Sequence, residues 1–245
     1  DRSNCEGESP GNGAAHERFI EHQGVMRRYV VYYPANYDPA EPTMLVLNYH
    51  ATGGTSEGAI GQTQMHGVAD ERNALIVYPQ GIDLDGRPVW DAGLRDFTCE
   101  PRDDVDFSKK IVDDIASRAC VNRRRVFATG ASNGGRMTFR MACDASGWIA
   151  AAAPVAGQLT YDEMLCLQNR QRAVPVIQYH GTGDTISPYL DHERSILSPR
   201  SIPDMFDLWS QWNGCVDNPE QTFRNGDVTC QTRDMCDEGS QVTLC

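Results

Sequence analysis

Short apolar runs alternate with longer amphipathic stretches along the chain. Residues 26–33 are rich in β-branched and aromatic side chains and predict a strand, closed by Pro34 and the turn-forming Asn36-Tyr37-Asp38-Pro39. Residues 44–49 form a compact apolar run that ends in His50-Ala51-Thr52-Gly53-Gly54, the pattern of a buried strand feeding a loop. Residues 74–78 repeat that pattern before Pro79. Residues 104–119 set Val105, Ile111, Val112, Ile115 and Ala119 on one helical face, with acidic residues in the first turn where the helix dipole favours them.

The second half continues the alternation. Residues 125–129 predict a strand that runs into Gly130-Ala131-Ser132-Asn133-Gly134-Gly135, and residues 136–143 follow as helix. Apolar runs at 150–155 and 174–179 are bounded by Gly or Pro, residues 204–212 predict a helix, and residues 241–244 read as the start of a last strand. Short buried strands alternating with helices describe the α/β class, a mostly parallel central sheet with helices on both faces. A length of 245 residues suits one such domain over the whole chain, and no repeat or long linker divides it.

Charge and cysteine content narrow the function classes. Lys and Arg number 22 against 34 Asp and Glu, a net charge of −12 that repels phosphate backbones and anionic lipids, so no nucleic acid or membrane is expected as a partner. No apolar run reaches the ~18 residues of a membrane span. Nine cysteines without a Cys-x2-Cys pair point to disulfides in an oxidising compartment rather than zinc, and the polar start at Asp1 reads as a processed, secreted or periplasmic form. The odd count leaves one cysteine without an internal partner.

The junction at Gly130-x-Ser132-x-Gly134 carries the most chemistry. A strand that reverses sharply into a helix needs small residues two before and two after the serine, and the bend holds the hydroxyl out at the carboxyl edge of the sheet. Acyl transfer at such a serine requires main-chain donors for the oxyanion, assigned here to the N–H groups of Thr52 and Asn133. The carboxylate of a catalytic triad follows the nucleophile beyond a later strand, a position that Asp184 fills in His180-Gly181-Thr182-Gly183-Asp184, with turn capping as its other reading. His50, at the start of its loop, reads as buried and structural.

These segments, with Tyr78-Pro79-Gln80-Gly81, Trp90, Asp103-Asp104-Val105, Ala153-Pro154-Val155-Ala156-Gly157 and Trp212-Asn213-Gly214-Cys215, resemble the secreted polyhydroxybutyrate depolymerase and feruloyl esterase group of carbohydrate esterase family 1. The resemblance runs from about Gly24 onward. It implies an α/β-hydrolase fold and ester hydrolysis through Ser132, Asp184 and a histidine, without cofactor or metal, by a monomer. The first substrate expected is a hydroxycinnamoyl ester of plant cell-wall polysaccharide, and the second a hydroxyalkanoate polyester. A catalytically silent binding protein for polysaccharide or polyester is the alternative of another class.

Three positions depart from the group. Ala51 stands where it usually has glycine, and Gln80 replaces its usual acidic residue. Its histidine follows the last strand, whereas no histidine follows His192 here. The expectation is a physical chain that continues, or was cut, beyond Cys245. The other readings are substitution by His192 on a mobile loop, or a retained fold that has lost the reaction.

Lesser features are weighed on chemistry alone. Trp90 offers an aromatic face for an acyl pocket or for plain packing, and Trp209 with Trp212 reads as helix packing. Asp83-x-Asp85-Gly86 is too short of ligands for a calcium loop, and His16, His22 and His66 are expected at the surface.

Overall fold

The strand that leads to Ser132 is the spine of the molecule. In the computed structural model, which describes residue 5 and residues 13–93, 103–190 and 200–245, β7 (Val121–Ala131) lies near the middle of a ten-stranded sheet. Its neighbours are β3 (Thr43–Tyr49) on one side and β8 (Ala151–Val155) on the other, both parallel. Beyond them β4 (Ala74–Pro79), β9 (Val176–Gln178) and β12 (Val242–Leu244) extend the parallel core. Antiparallel strands finish both sides: β1 (Ala14–His22) and β2 (Val25–Tyr33) beside β4, and β10 (Glu220–Asn225) and β11 (Val228–Arg233) beside β12.

Strand period decides which layer each side chain enters. Along β2, Tyr29, Val31 and Tyr33 face one layer and Val30 and Tyr32 the other. The first layer holds α3 (Asp104–Ala116), α4 (Asn133–Asp144) and α6 (Ile202–Trp212), which bury Phe107, Ile111, Phe139, Met205 and Trp209 against the sheet. The second holds α1 (Ser56–Thr63) and α2 (Met65–Arg72), whose buried anchors are as small as Ala59 and Ala69. The expected α/β sheet with helices on both faces is therefore the one observed.

Helix starts follow their caps. Asp103 accepts from the N–H groups of Val105 and Asp106, and Ser201 forms a reciprocal capping box with Asp204, which begins α6 two residues earlier than residues 204–212 predicted. Trp209 is buried and stacks on Phe139 at 5.8 Å, with Trp212 edge-on at 5.1 Å, the packing role expected of this pair. A short helix, α5 (Glu163–Asn169), lies between β8 and β9.

Four disulfides fasten the loops and strand ends: Cys5–Cys120, Cys143–Cys166, Cys215–Cys236 and Cys230–Cys245. The ninth cysteine, Cys99, lies outside the described residues.

One expectation changes. His22 is not a surface residue: it is 2% exposed, and its Nε2 lies 3.1 Å from Asp106 Oδ2, because the end of β1 packs against α3. The Asp83-x-Asp85-Gly86 segment is the turn of a hairpin, β5 (Ile82–Leu84) with β6 (Arg87–Val89). Asp85 and Gly86 both take positive φ, as a two-residue hairpin turn requires, and Asp83 Oδ1 accepts from the Gly86 N–H at 2.6 Å. No cluster of three or more metal-type ligands occurs among the described residues.

Candidate active site

The site begins where adjacent parallel strands end side by side. Sheet order places β4 on one side of β3 and β7 on the other, so successive crossovers leave in opposite directions and open a crevice at the carboxyl ends. Tyr49 of β3 stands opposite Gly130 of β7, and Pro154 of β8 opposes Gly130 on the other side. The loop from His50 and the bend at Ser132 therefore leave the sheet as neighbours.

Ser132 takes φ 56° and ψ −115°, a backbone state that costs about 1–3 kcal/mol in a residue with a side chain. Its N–H donates to Val155 O at 2.9 Å, and its carbonyl accepts from Arg136 N–H at 3.0 Å as α4 begins. The flanking glycines are required by space. A Cβ on Gly130 would lie 2.6 Å from Tyr49 O, and one on Gly134 would collide with the same carbonyl. The bend leaves Ser132 partly exposed while Asn133, the next residue, is fully buried.

The two expected oxyanion donors stand at a helix start and in the loop that follows β3. Asn133 is the first residue of α4, so its N–H is among the donors that a helix leaves without an intrahelical partner. Thr52 is exposed in its loop, and the next two N–H groups are committed elsewhere: Gly53 donates to Pro88 O at 2.8 Å and Gly54 to Ala51 O at 2.9 Å.

His50 is interior, as its place in the loop suggested. Its Nδ1–H donates to Ala51 O at 2.8 Å, and its Nε2 accepts from Gly81 N–H at 2.9 Å. One neutral tautomer satisfies both bonds, and burial lowers the imidazole pKa. Gln80 adds to this cluster: its Oε1 accepts from Ser56 N–H at 2.9 Å, at the start of α1, and its Nε2 approaches His50 Nε2 at 3.3 Å. Trp90 requires a correction. It is fully buried, edge-on to Tyr49 at 5.1 Å and tilted on His50 at 4.8 Å, so its ring does not line an acyl pocket.

Asp184 follows β9 at the same edge. Its Oδ1 accepts from the N–H groups of Ile186 and Ser187, each at 2.8 Å, so the turn-capping reading holds for that oxygen. Its Oδ2 lies 3.5 Å from His180 Nε2. A carboxylate has about four acceptor positions, and capping leaves capacity for a further donor. His180 is buried with Nε2–H directed to Ser187 O at 2.8 Å, and burial lowers its pKa. The Val155–Tyr179 bridge and the Ala156 N–H to Tyr179 O bond, 2.8 Å, tie the Ser132 edge to the strand leading into Asp184. Arg136, buried one turn into α4, feels the Asp184 carboxylate, which raises its pKa against a larger lowering by burial. The sequence reading passed over this arginine, although its position four residues after Ser132 was a signal.

No hydrogen bond joins His16, His22, His50, His66 or His180 to Ser132 among the described residues, and His192 lies outside them. Cys245 closes β12 at this edge: its N–H donates to Gln178 O at 2.8 Å, and its carbonyl accepts from His180 N–H at 3.0 Å. A cavity of about 690 Å³ borders the Asp184 turn, lined by Tyr179, His180, Thr182, Tyr189 and the β11 segment. Another of about 340 Å³ borders the bend, lined by His50, Ala51, Met65, Gly130, Ala131 and Val155.

No family model matches the chain. Feruloyl esterase B of Piromyces equi is 28% identical over 227 residues, 89% of this chain and 41% of that protein. A bifunctional acetylxylan esterase and xylanase of Neocallimastix patriciarum is 28% identical, covering 90% of this chain and 30% of that protein. The chain thus spans less than half the length of these two relatives. Feruloyl esterase D of Neurospora crassa is 28% identical over 89% of this chain and 71% of its own length. Among solved structures, an acetyl xylan esterase from Aspergillus awamori superposes with a TM-score of 0.70 at 18% identity, covering 94% of this chain and 92% of that one. An S-formylglutathione hydrolase from Agrobacterium tumefaciens gives 0.62 at 12% identity, covering 84% and 85%. The fold is that of the α/β-hydrolases.

Proposed function

We propose that the chain is a serine carboxylic ester hydrolase acting on hydroxycinnamoyl esters of plant cell-wall polysaccharide, the feruloyl esterase reaction. One observation carries the reading: Ser132 holds a strained positive φ at the head of α4, partly exposed and beside the loop that presents Thr52. Strain of this kind persists only where the surrounding structure over-determines it, and it recurs where a hydroxyl must be presented. The names of the relatives from Piromyces equi and Neurospora crassa support the acyl group, and the acetylxylan esterase name supports a polysaccharide alcohol.

In the proposed reaction Ser132 Oγ attacks the ester carbonyl and its proton passes to an imidazole. The N–H groups of Thr52 and Asn133 receive the oxyanion, and Asp184 orients the imidazole through Oδ2. The alcohol leaves with the proton, and water then cleaves the acyl-serine. None of the five described histidines is hydrogen-bonded to Ser132, so the base carries no residue number in this proposal. Four disulfides support an oxidising, extracellular or periplasmic location, and no helix among the described residues is long and apolar enough to cross a membrane.

The test is Ser132→Ala assayed on methyl ferulate and p-nitrophenyl acetate, with fluorophosphonate labelling of the parent. Loss of turnover and a covalent adduct on Ser132 support the proposal. An intact natural chain that neither turns over esters nor takes up the label rejects it in favour of the silent binding protein.

A further inference from the structure

An oxyanion site made of two main-chain N–H groups from different loops works only if those loops hold a fixed separation, because a displacement of about 1 Å costs on the order of 100-fold in rate. Nothing covalent joins Thr52 to Asn133. Their strands run side by side, yet each donor lies beyond the last paired residue, where the ladder no longer dictates position.

Side chains bridge that gap. The buried Asn133 amide grips the main chain of Trp90 at both ends: Trp90 N–H donates to Asn133 Oδ1 at 2.8 Å, and Asn133 Nδ2 donates to Trp90 O at 3.3 Å. The Trp90 indole Nε1–H donates to His50 O at 2.9 Å. His50 then closes the path, its ring bonded to Ala51 O on one side and to Gly81 N–H on the other. Every member is buried: Asn133 and Trp90 are 0% exposed and His50 is 3%. In such surroundings each bond is strong, and its loss leaves a costly unpaired group.

We propose that Trp90 and the Asn133 side chain are positioning residues that set the distance between the two oxyanion donors, with His50 carrying the constraint into the Thr52 loop. The inference rests on the ester hydrolase reading of this site. It also assigns a task to the large interior tryptophan that an acyl pocket would not explain. Hydrophobic packing alone needs no indole N–H, whereas this bridge depends on it.

The test uses Trp90→Phe, which keeps an aromatic ring and removes the N–H, and Asn133→Ser, which keeps the main-chain donor and removes the two-ended grip. Parent and variants are compared by near-ultraviolet circular dichroism, by kcat and KM on p-nitrophenyl esters, and by the rate of fluorophosphonate labelling at Ser132. The expected result in a folded variant is a fall in kcat of about 10- to 100-fold with KM within about twofold, and a parallel fall in labelling rate. A folded Trp90→Phe or Asn133→Ser that labels and turns over at the parent rate overturns the inference while leaving the esterase reading intact. A parent that never labels removes both.

Discussion

Tyr49 and Gly130 face each other at the ends of two parallel strands, and the Tyr49 carbonyl occupies the space that a side chain at Gly134 would need. The obstacle is main chain of a central strand and cannot rotate away. Gly134→Ala should therefore push α4 off the sheet edge, lower stability by about 1–3 kcal/mol, and abolish labelling of Ser132. Denaturant midpoints together with the labelling rate check this. Parent-like values for both would show that the helix start has room to spare.

Asp184→Asn separates the two tasks of that carboxyl group. The Asn carbonyl oxygen can still accept from Ile186 and Ser187 N–H, so the turn should persist with a melting temperature close to the parent's. An amide cannot stabilise an imidazolium or hold its tautomer, so kcat should fall by about 10⁴-fold. A variant that retains kcat within a few fold would reduce Asp184 to a capping residue.

The sequence announced the segments whose chemistry is local. The strand, bend and helix around Ser132 were legible because glycine spacing and apolar period agree there, and both follow from steric demands within a few residues. Elements that bury little went unread. In α1 only Ser56 and Ala59 are buried, and in α2 only Ala69, so neither carries an apolar stripe. Strand β1 alternates correctly, but its inward positions include Arg18, His16, which packs edge-on against Tyr33, and His22, which pairs with Asp106, so they do not read as a greasy face. The tail strand β10 is exposed throughout and shows no alternation to detect. Trp90 was visible as an aromatic residue, yet its direction into the interior depends on His50 and Asn133, 40 and 43 residues away.

Stability should fall as the medium is acidified from neutrality. Burial is the first cause that lowers the pKa of His50, His66 and His180 below the ordinary value of 6.5. The unfolded chain therefore takes up protons at these sites first. Stability is complete above about pH 6.5 and declines as pH drops through 6.5 toward the lower folded values. Urea midpoints at pH 7.5 and 5.5 measure the effect, and His50→Gln should lessen the decline. A midpoint that is equal or higher at pH 5.5 would contradict it.

Arg27 and Asp104 form an ion pair at 2.7 Å with side chains only 2% and 3% exposed, and Asp104 also accepts from Asp91 N–H at 2.8 Å. This pair joins β2 to the first turn of α3, close to the loop that carries Trp90. Arg27→Met keeps an apolar stem, removes the guanidinium that lies 3.6 Å over the Phe107 ring, and strands the carboxylate in the interior, a loss of about 3–5 kcal/mol. Urea denaturation of parent and Arg27→Met at pH 7.5 measures the loss. A loss below about 1 kcal/mol would mean that water or another group already compensates the charge on Asp104.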